Sequence, residues 1–158
     1  MKPKQPVLDE PPPHVALRLS FAIDGTAFKL AQADRVDMIL LPTASLEKNS
    51  FQAPFWFEVS DKAGFLLYRR ALRHPLHPWL ETRGDSAEHP LTYVRVDRLN
   101  DHFGLDIPDF PDAHALTLFG FPPSKDGGEA DMQTPPTVLA RFTLAQIRKR
   151  LYSSRKGV

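Results

Sequence analysis

Three histidines in one proline-rich stretch come closest to the spacing of a metal site. Residues 74–79 read His-Pro-Leu-His-Pro-Trp, and Glu88 and His89 follow in the same stretch. Neutral imidazoles together with a carboxylate can ligate zinc or another transition metal. Each histidine also precedes a proline, which favours the extended backbone of an ordinary loop. His74, His77 and His89 therefore have two interpretations, a weak metal site and a loop that happens to contain histidine, and we expect no cofactor.

A second set of possible ion ligands is acidic. Carboxylate and amide oxygens of this kind suit Ca²⁺ in a loop of a β-sandwich. A solvated acidic loop has the same composition and is the simpler interpretation. The residues concerned are Asp97, Asn100, Asp101, Asp106 and Asp109.

The sequence contains none of the common catalytic or nucleotide-binding motifs. No serine lies between two glycines, so the nucleophile elbow of many hydrolases is missing. The pair Gly127-Gly128 is followed by Glu129 and Asp131, which would repel a phosphate. The absence of cysteine excludes disulfides, thiolate zinc sites, iron–sulfur clusters and cysteine nucleophiles. The sequence therefore predicts a protein that is not an enzyme.

An aromatic hairpin supplies the remaining candidate groups. Residues 55–60 and 65–72 are β-prone runs joined by a short turn that ends in Gly64. If Ser60 lies opposite Phe65, then Trp56 lies opposite Arg69. We therefore expect a cation–π contact between Trp56 and Arg69 at or near the surface.

Glu58 lies between two apolar residues of the same hairpin. A carboxylate beside aromatic side chains can have a raised pKa and act as a general base. The ordinary alternative is an ion pair with Arg69 or Arg70 across the hairpin. We expect the ion pair, because the sequence shows no partner acid for Glu58.

Alternating apolar and polar residues predict the strands that position these groups. The clearest run covers residues 15–23 and ends in the turn pair Asp24-Gly25, which predicts a tight hairpin. Residues 73–90 are predicted to be a long loop, longer than most connections in compact domains. The other predicted strands are residues 27–31, 35–41, 55–60, 65–72, 91–99, 103–107, 113–121 and 137–144.

This spacing of short strands predicts an all-β protein, an antiparallel β-sandwich of immunoglobulin-like or transthyretin-like architecture. Residues 1–13 contain five of the sixteen prolines and are predicted to be a disordered arm. The sandwich is assigned to residues 14–143. A short helix follows within 144–158, because Leu144, Ile147 and Leu151 share one helical face behind a possible cap at Thr143.

The C-terminal segment differs in charge from the rest of the chain. Residues 141–158 contain six basic residues and no acid, which leaves 14 basic and 19 acidic residues elsewhere. This segment, with Arg148, Lys149 and Arg150, can contact nucleic acid, an anionic surface or an acidic partner. It can also fold back onto the acidic body of its own chain.

These observations favour a non-catalytic module that binds another protein through strand edges, the 73–90 loop or the termini. The alternative is a carbohydrate or peptide site formed by Trp56, Trp79, Tyr93 and loop acids. The longest strongly apolar run, residues 38–41, is far shorter than the roughly 20 residues of a membrane span. No secretory leader is visible either, so we expect a soluble cytoplasmic protein.

Overall fold

The computed structural model describes residues 13–24, 26–44, 53–72, 79–88, 90–95, 102–121 and 133–154. Within these ranges the backbone forms nine strands followed by one helix. Their order and bounds are β1 (Val15–Asp24), β2 (Ala27–Asp37), β3 (Phe55–Asp61), β4 (Leu66–Ala71), β5 (Trp79–Arg83), β6 (Leu91–Arg95), β7 (His102–Pro108), β8 (Ala113–Gly120), β9 (Thr137–Thr143) and α1 (Leu144–Ser154).

Two antiparallel sheets pack on one shared core. Sheet A has the strand order β2-β1-β7, and sheet B has the order β4-β3-β8-β9. Alternate residues of both sheets point inward, and Phe21 of sheet A and Phe57 of sheet B belong to the same buried cluster. The prediction of an antiparallel all-β fold with a short C-terminal helix is confirmed. The immunoglobulin-like or transthyretin-like type stays a prediction.

β2 is longer than the sequence pattern predicted. It pairs with β1 from Ala27 to Asp37, and a bulge places one extra residue, Ala31, beside the Ser20–Phe21 step. β2 pairs with β1 along all of its 11 residues, and the bulge shifts the register by one residue. The separate strand predicted at residues 35–41 was therefore wrong, because residues 35–37 continue β2 and residues 38–41 leave the sheet.

The β3–β4 hairpin turns where predicted, but its register differs. Gly64 has φ +87°, a conformation that favours glycine, and the Phe65 N–H donates to Asp61 Oδ1 at 2.8 Å. A bulge in β4 then places Arg69 opposite Glu58. Trp56 consequently lies opposite Ala71, and the predicted pairing of Trp56 with Arg69 was wrong.

The stretch predicted as one long loop contains a strand. β5 pairs with β6 in a two-stranded antiparallel sheet, and the Gly84 N–H donates to the Pro90 carbonyl at 2.9 Å. The prediction missed β5 because its sequence, Trp-Leu-Glu-Thr-Arg, does not alternate between apolar and polar residues and is flanked by prolines and histidines.

α1 begins at a reciprocal cap. The Gln146 N–H donates to Thr143 Oγ1 at 3.2 Å, and the Thr143 N–H donates to Gln146 Oε1 at 3.0 Å. Leu144 and Ile147 are buried in the shared core, as their spacing predicted. α1 has 11 residues, and the described part of the chain holds no helix with the length and apolar character of a membrane span.

Candidate functional site

The outer face of sheet B carries a connected polar cluster. Phe57 and Val59 of β3 point into the core, so their neighbours Trp56 and Glu58 point outward. Glu58 Oε1 accepts hydrogen bonds from Trp56 Nε1 at 3.1 Å, from Arg69 Nε at 3.0 Å and from Arg69 Nη2 at 2.8 Å. One carboxylate oxygen therefore holds both the indole and the guanidinium in place.

Both side chains that donate to Glu58 are buried. Trp56 and Arg69 are each only 8% exposed, and the Trp56 ring stacks on Phe119 with centroids 5.2 Å apart. Phe121 packs beside the same indole at 5.7 Å. The expectation of an exposed cation–π pair was wrong, because the register gives Arg69 to Glu58 instead. The ion pair expected for Glu58 is confirmed, and buried Trp56 is poorly placed to stack on a sugar or a peptide.

A second cluster joins α1 to sheet A. Asp109 accepts from Arg148 Nη2 at 3.0 Å and lies 2.8 Å from Arg35 Nη2, while Arg148 also donates to the Phe110 carbonyl. Arg148 of the basic segment is therefore bound to an acidic residue of its own chain. Lys149 and Arg150, the neighbouring predicted contact residues, have exposed side chains.

Two of the residues proposed as Ca²⁺ ligands, Asp109 and Asp106, form ion pairs with arginines. Asp109 is held by two arginines, and Asp106 accepts from Arg18 Nε at 3.0 Å. Asp97, Asn100 and Asp101 lie outside the described residues. The two described carboxylates are thus occupied as ion-pair partners on sheet A.

For several candidate residues, the structure describes only the backbone or does not describe the residue at all. Trp79 lies opposite Arg95 and Tyr93 opposite Glu81 in the β5–β6 ladder, but their side chains lie outside the described part. The metal candidates His74, His77 and His89 also lie outside it. Among the described residues, no three acidic or histidine side chains gather as they would around a metal ion.

Residues 38–44, which we name the crossing segment, connect the two sheets. At its start, the Met38 N–H donates to the His14 carbonyl at 2.9 Å, beside β1 of sheet A. At its end, the Arg69 N–H donates to Thr43 Oγ1 and the Ala44 N–H donates to the Arg69 carbonyl, both at 2.9 Å. The crossing segment therefore covers the outer backbone groups of Arg69 on edge strand β4.

Tyr68 of β4 holds the middle of the crossing segment against sheet B. Its phenol donates to the Leu41 carbonyl at 2.7 Å, and its ring packs in the core against Phe57. Burial raises the pKa of Tyr68, and the positive charge of Arg70 acts in the opposite direction. Arg70 itself donates to the Pro42 carbonyl at 3.3 Å. The crossing segment is thus fixed to sheet B at several consecutive residues.

The outward side of the crossing segment is apolar. Ile39 is 73% exposed and Leu41 is 64% exposed, the two highest values among the large apolar side chains of the described residues. Met38, which precedes Ile39, and Leu40, which lies between the two, are half-buried. Sequence reasoning assigned these residues to a strand and missed this surface. The available signal was the run of four consecutive apolar residues, Met38 to Leu41.

The edge strands β7 and β9 have features that oppose pairing with another chain. The Asp109 N–H donates to the Val15 carbonyl, so by alternation Asp106 and Pro108 of β7 turn their backbone groups outward. Pro108 has no N–H to offer, and Asp106 places a charge on that edge. β9 carries a bulge at Leu139, which disturbs its outer row of backbone groups.

Comparison with known proteins gives no match. The chain matches no protein family, no curated protein and no solved structure.

Proposed function

We propose that this chain is a non-catalytic β-sandwich that binds another protein through the outward side of the crossing segment. The observation that carries the proposal is the exposure of Ile39 and Leu41 on a segment whose two ends are hydrogen-bonded to different sheets. Apolar side chains scattered singly on a surface need no explanation, but two adjacent ones on a fixed segment favour an interaction site.

The fixed backbone is important because it lowers the cost of binding. Leu41 is anchored by Tyr68, and Ala44 is anchored by the Arg69 carbonyl. A partner that covers Ile39 and Leu41 therefore gains apolar burial without first ordering the segment. This distinguishes the crossing segment from an exposed loop of the same composition.

The non-catalytic part of the proposal is supported by how the described acids are used. Three hydrogen bonds converge on one oxygen of Glu58, and two arginines hold Asp109. Both carboxylates thus stabilise structure and are poorly placed to exchange protons with a substrate. A cytoplasmic location belongs to the same proposal, since a chain without cysteine needs no oxidising compartment.

A site-specific cross-linking experiment tests this proposal. The chain contains no cysteine, so Ile39→Cys introduces a single thiol at the centre of the proposed surface. A thiol-reactive photo-cross-linker attached there is activated in an extract of the native cells. We expect one dominant cross-linked protein, identified by mass spectrometry, which is lost when Leu41→Ser is added.

Val138→Cys is the matched control, because Val138 is a 54% exposed apolar residue on β9, away from the crossing segment. The control is expected to give weak and varied adducts. The same dominant adduct from both positions, or none from Ile39→Cys, contradicts the proposal.

A further inference from the structure

We propose that the turn between β5 and β6 is a second binding site, and that its ligand is a protein that holds a divalent cation beside an acidic pocket. Residues 83–88, which we name the tip, begin with the sequence Arg-Gly-Asp-Ser. The inference goes beyond the proposed function, because the tip shares no residue with the crossing segment.

The charged side chains of the tip have no partner in their own chain. Arg83, Asp85 and Glu88 are exposed, and in the part of the chain that the structure describes none of their side chains forms an ion pair or a hydrogen bond. On sheet A, by contrast, Arg18 and Lys29 are each paired with an aspartate. The guanidinium of Arg83 and the carboxylate of Asp85 are therefore both available to a partner.

Gly84 separates these two charges. Among the described glycines only Gly64 has a positive φ, so the backbone at Gly84 does not require glycine. The Gly84 N–H donates to the Pro90 carbonyl at 2.9 Å and closes the base of the turn. A glycine that the backbone conformation does not require is typical of a place where a ligand or another backbone approaches closely. Gly84 therefore gives a partner close access between Arg83 and Asp85.

The hairpin that carries the tip is exposed on both faces. Leu91, 58% exposed, and Val94, 47% exposed, lie on opposite faces because they are three residues apart in β6. Arg83 ends β5 opposite Leu91, so the last pair of the ladder positions the start of the tip. A partner can consequently reach the tip from either face.

The chemistry of the partner follows from the sign and strength of these contacts. The Arg83 guanidinium fits a carboxylate, which it can bind through two parallel hydrogen bonds. Ion pairs between exposed side chains contribute little, so two of them would not hold a complex together. A divalent cation with an open coordination position is a far stronger partner for the single Asp85 carboxylate. Arg-Gly-Asp in an exposed turn is also a general recognition sequence of adhesion receptors that bind its aspartate through such a cation.

Affinity capture from a detergent extract of the native cells tests the inference. The full chain is immobilised, and the extract is applied with Mn²⁺ or with excess EDTA. We expect one protein that is retained with Mn²⁺ and released by EDTA. A synthetic peptide of residues 82–87 is expected to release it as well, whereas the Asp85→Asn form of that peptide is not.

Variants of the full chain then measure how much each charge contributes to binding of the captured protein, once that protein is purified. Asp85→Asn is expected to weaken binding at least about 30-fold, because the cation loses its ligand, and Arg83→Gln about 10-fold. Asp85→Glu keeps the charge but displaces the carboxylate, so it is expected to weaken binding to a cation of fixed geometry. Glu88→Gln, which alters an exposed acid of the same tip, is the matched control and is expected to bind as the wild type.

Capture that EDTA does not change, or no captured protein, overturns the inference. So does an Asp85→Asn variant that binds as the wild type, or a Glu88→Gln variant that binds as poorly as Asp85→Asn. The variant Ile39→Ser with Leu41→Ser separates the two proposals, because it is expected to bind the same protein unchanged. Loss of binding in that variant would assign the partner to the crossing segment and overturn the tip as its site. A cell-surface receptor as the captured protein supports the inference and replaces the cytoplasmic location.

Discussion

The polar side chains on the two outer faces of the sandwich differ in how far they are exposed to water. On sheet A, Arg18 pairs with Asp106 at 3.0 Å and Lys29 pairs with Asp24 at 3.1 Å. Arg18, Lys29 and Asp24 are largely exposed, so water and salt compete with these contacts.

On sheet B, the outward groups are stacked and buried. Trp56 lies on Phe119, and Arg69 is enclosed with its carboxylate partner Glu58. Most of these side chains are shielded from water, and loss of Glu58 takes away the carboxylate to which the buried Arg69 guanidinium donates. Similar residue types therefore contribute very differently to stability, depending on whether the outer face of their sheet is exposed to water.

Trp56→Ala gives the largest expected effect. Removal of a buried indole loses its stacking on Phe119 and its hydrogen bond to Glu58, and costs about 3–5 kcal/mol of unfolding free energy. Urea unfolding followed by circular dichroism measures this loss. Trp56→Phe keeps an aromatic ring and is expected to recover most of it. A loss under about 1 kcal/mol for alanine would show that the Trp56 contacts contribute no more than those of an exposed side chain.

Glu58→Gln is expected to rank second. It removes the charge that neutralises buried Arg69, and since Glu58 is itself partly exposed, the cost is about 2–3 kcal/mol. A double-mutant cycle with Arg69→Met isolates the interaction between the two side chains. If the two single losses simply add, the ion pair contributes no coupling and sheet B resembles sheet A.

Tyr68→Phe tests a single hydrogen bond at the edge of sheet B. Loss of the hydrogen bond to the Leu41 carbonyl is expected to cost about 1 kcal/mol at pH 7. Burial raises the pKa of Tyr68 above its ordinary value of 10.0, so its protonated form stabilises the fold below pH 10. That stabilisation is lost as the pH rises through the folded-state pKa.

The measurement for Tyr68 is urea unfolding at several pH values from 8 to about 11.5, which spans the titration of tyrosine. The difference between the wild type and Tyr68→Phe is expected to shrink above pH 10. Tyr93 and Tyr152 are present in both proteins and cancel in this difference. A difference that stays constant with pH would show that Tyr68 ionises as freely as in the unfolded chain.

Arg18→Ala gives the smallest expected effect. Its partner Asp106 is on the solvated face, so the midpoint of unfolding is expected to fall slightly at low salt. At about 0.5 M NaCl, where surface charges are screened, variant and wild type are expected to unfold together. A salt-independent loss as large as that of Glu58→Gln would remove the distinction between the two faces.

The sequence allowed the fold to be predicted better than the pairing of its residues. Alternation of apolar and polar residues identified β1, and β-prone apolar runs identified β3 and β8, because all three contribute buried side chains to the core. The bulges at Ala31 and in β4 shift the register by one residue without altering that alternation. The residue opposite Trp56 therefore could not be read from the pattern, whereas the ion pair of Glu58 with one of the two arginines could.

The exposed apolar side of the crossing segment was missed for a related reason. Residues 38–41 have the composition of a buried strand, and only their position after the end of β2 leaves Ile39 and Leu41 outside. The helix cap could be predicted, because the Thr143 to Gln146 spacing is local. Contacts between segments far apart in the chain could not be predicted from the local sequence pattern.

The packing of α1 has a consequence for biosynthesis. Leu144 and Ile147 complete the interior, and Arg148 reaches Asp109 together with Arg35 from β2. A nascent chain whose last helix is still inside the ribosomal tunnel therefore has an open interior and an incompletely neutralised carboxylate. The core and this ion-pair cluster are therefore completed only after α1 has emerged from the ribosome.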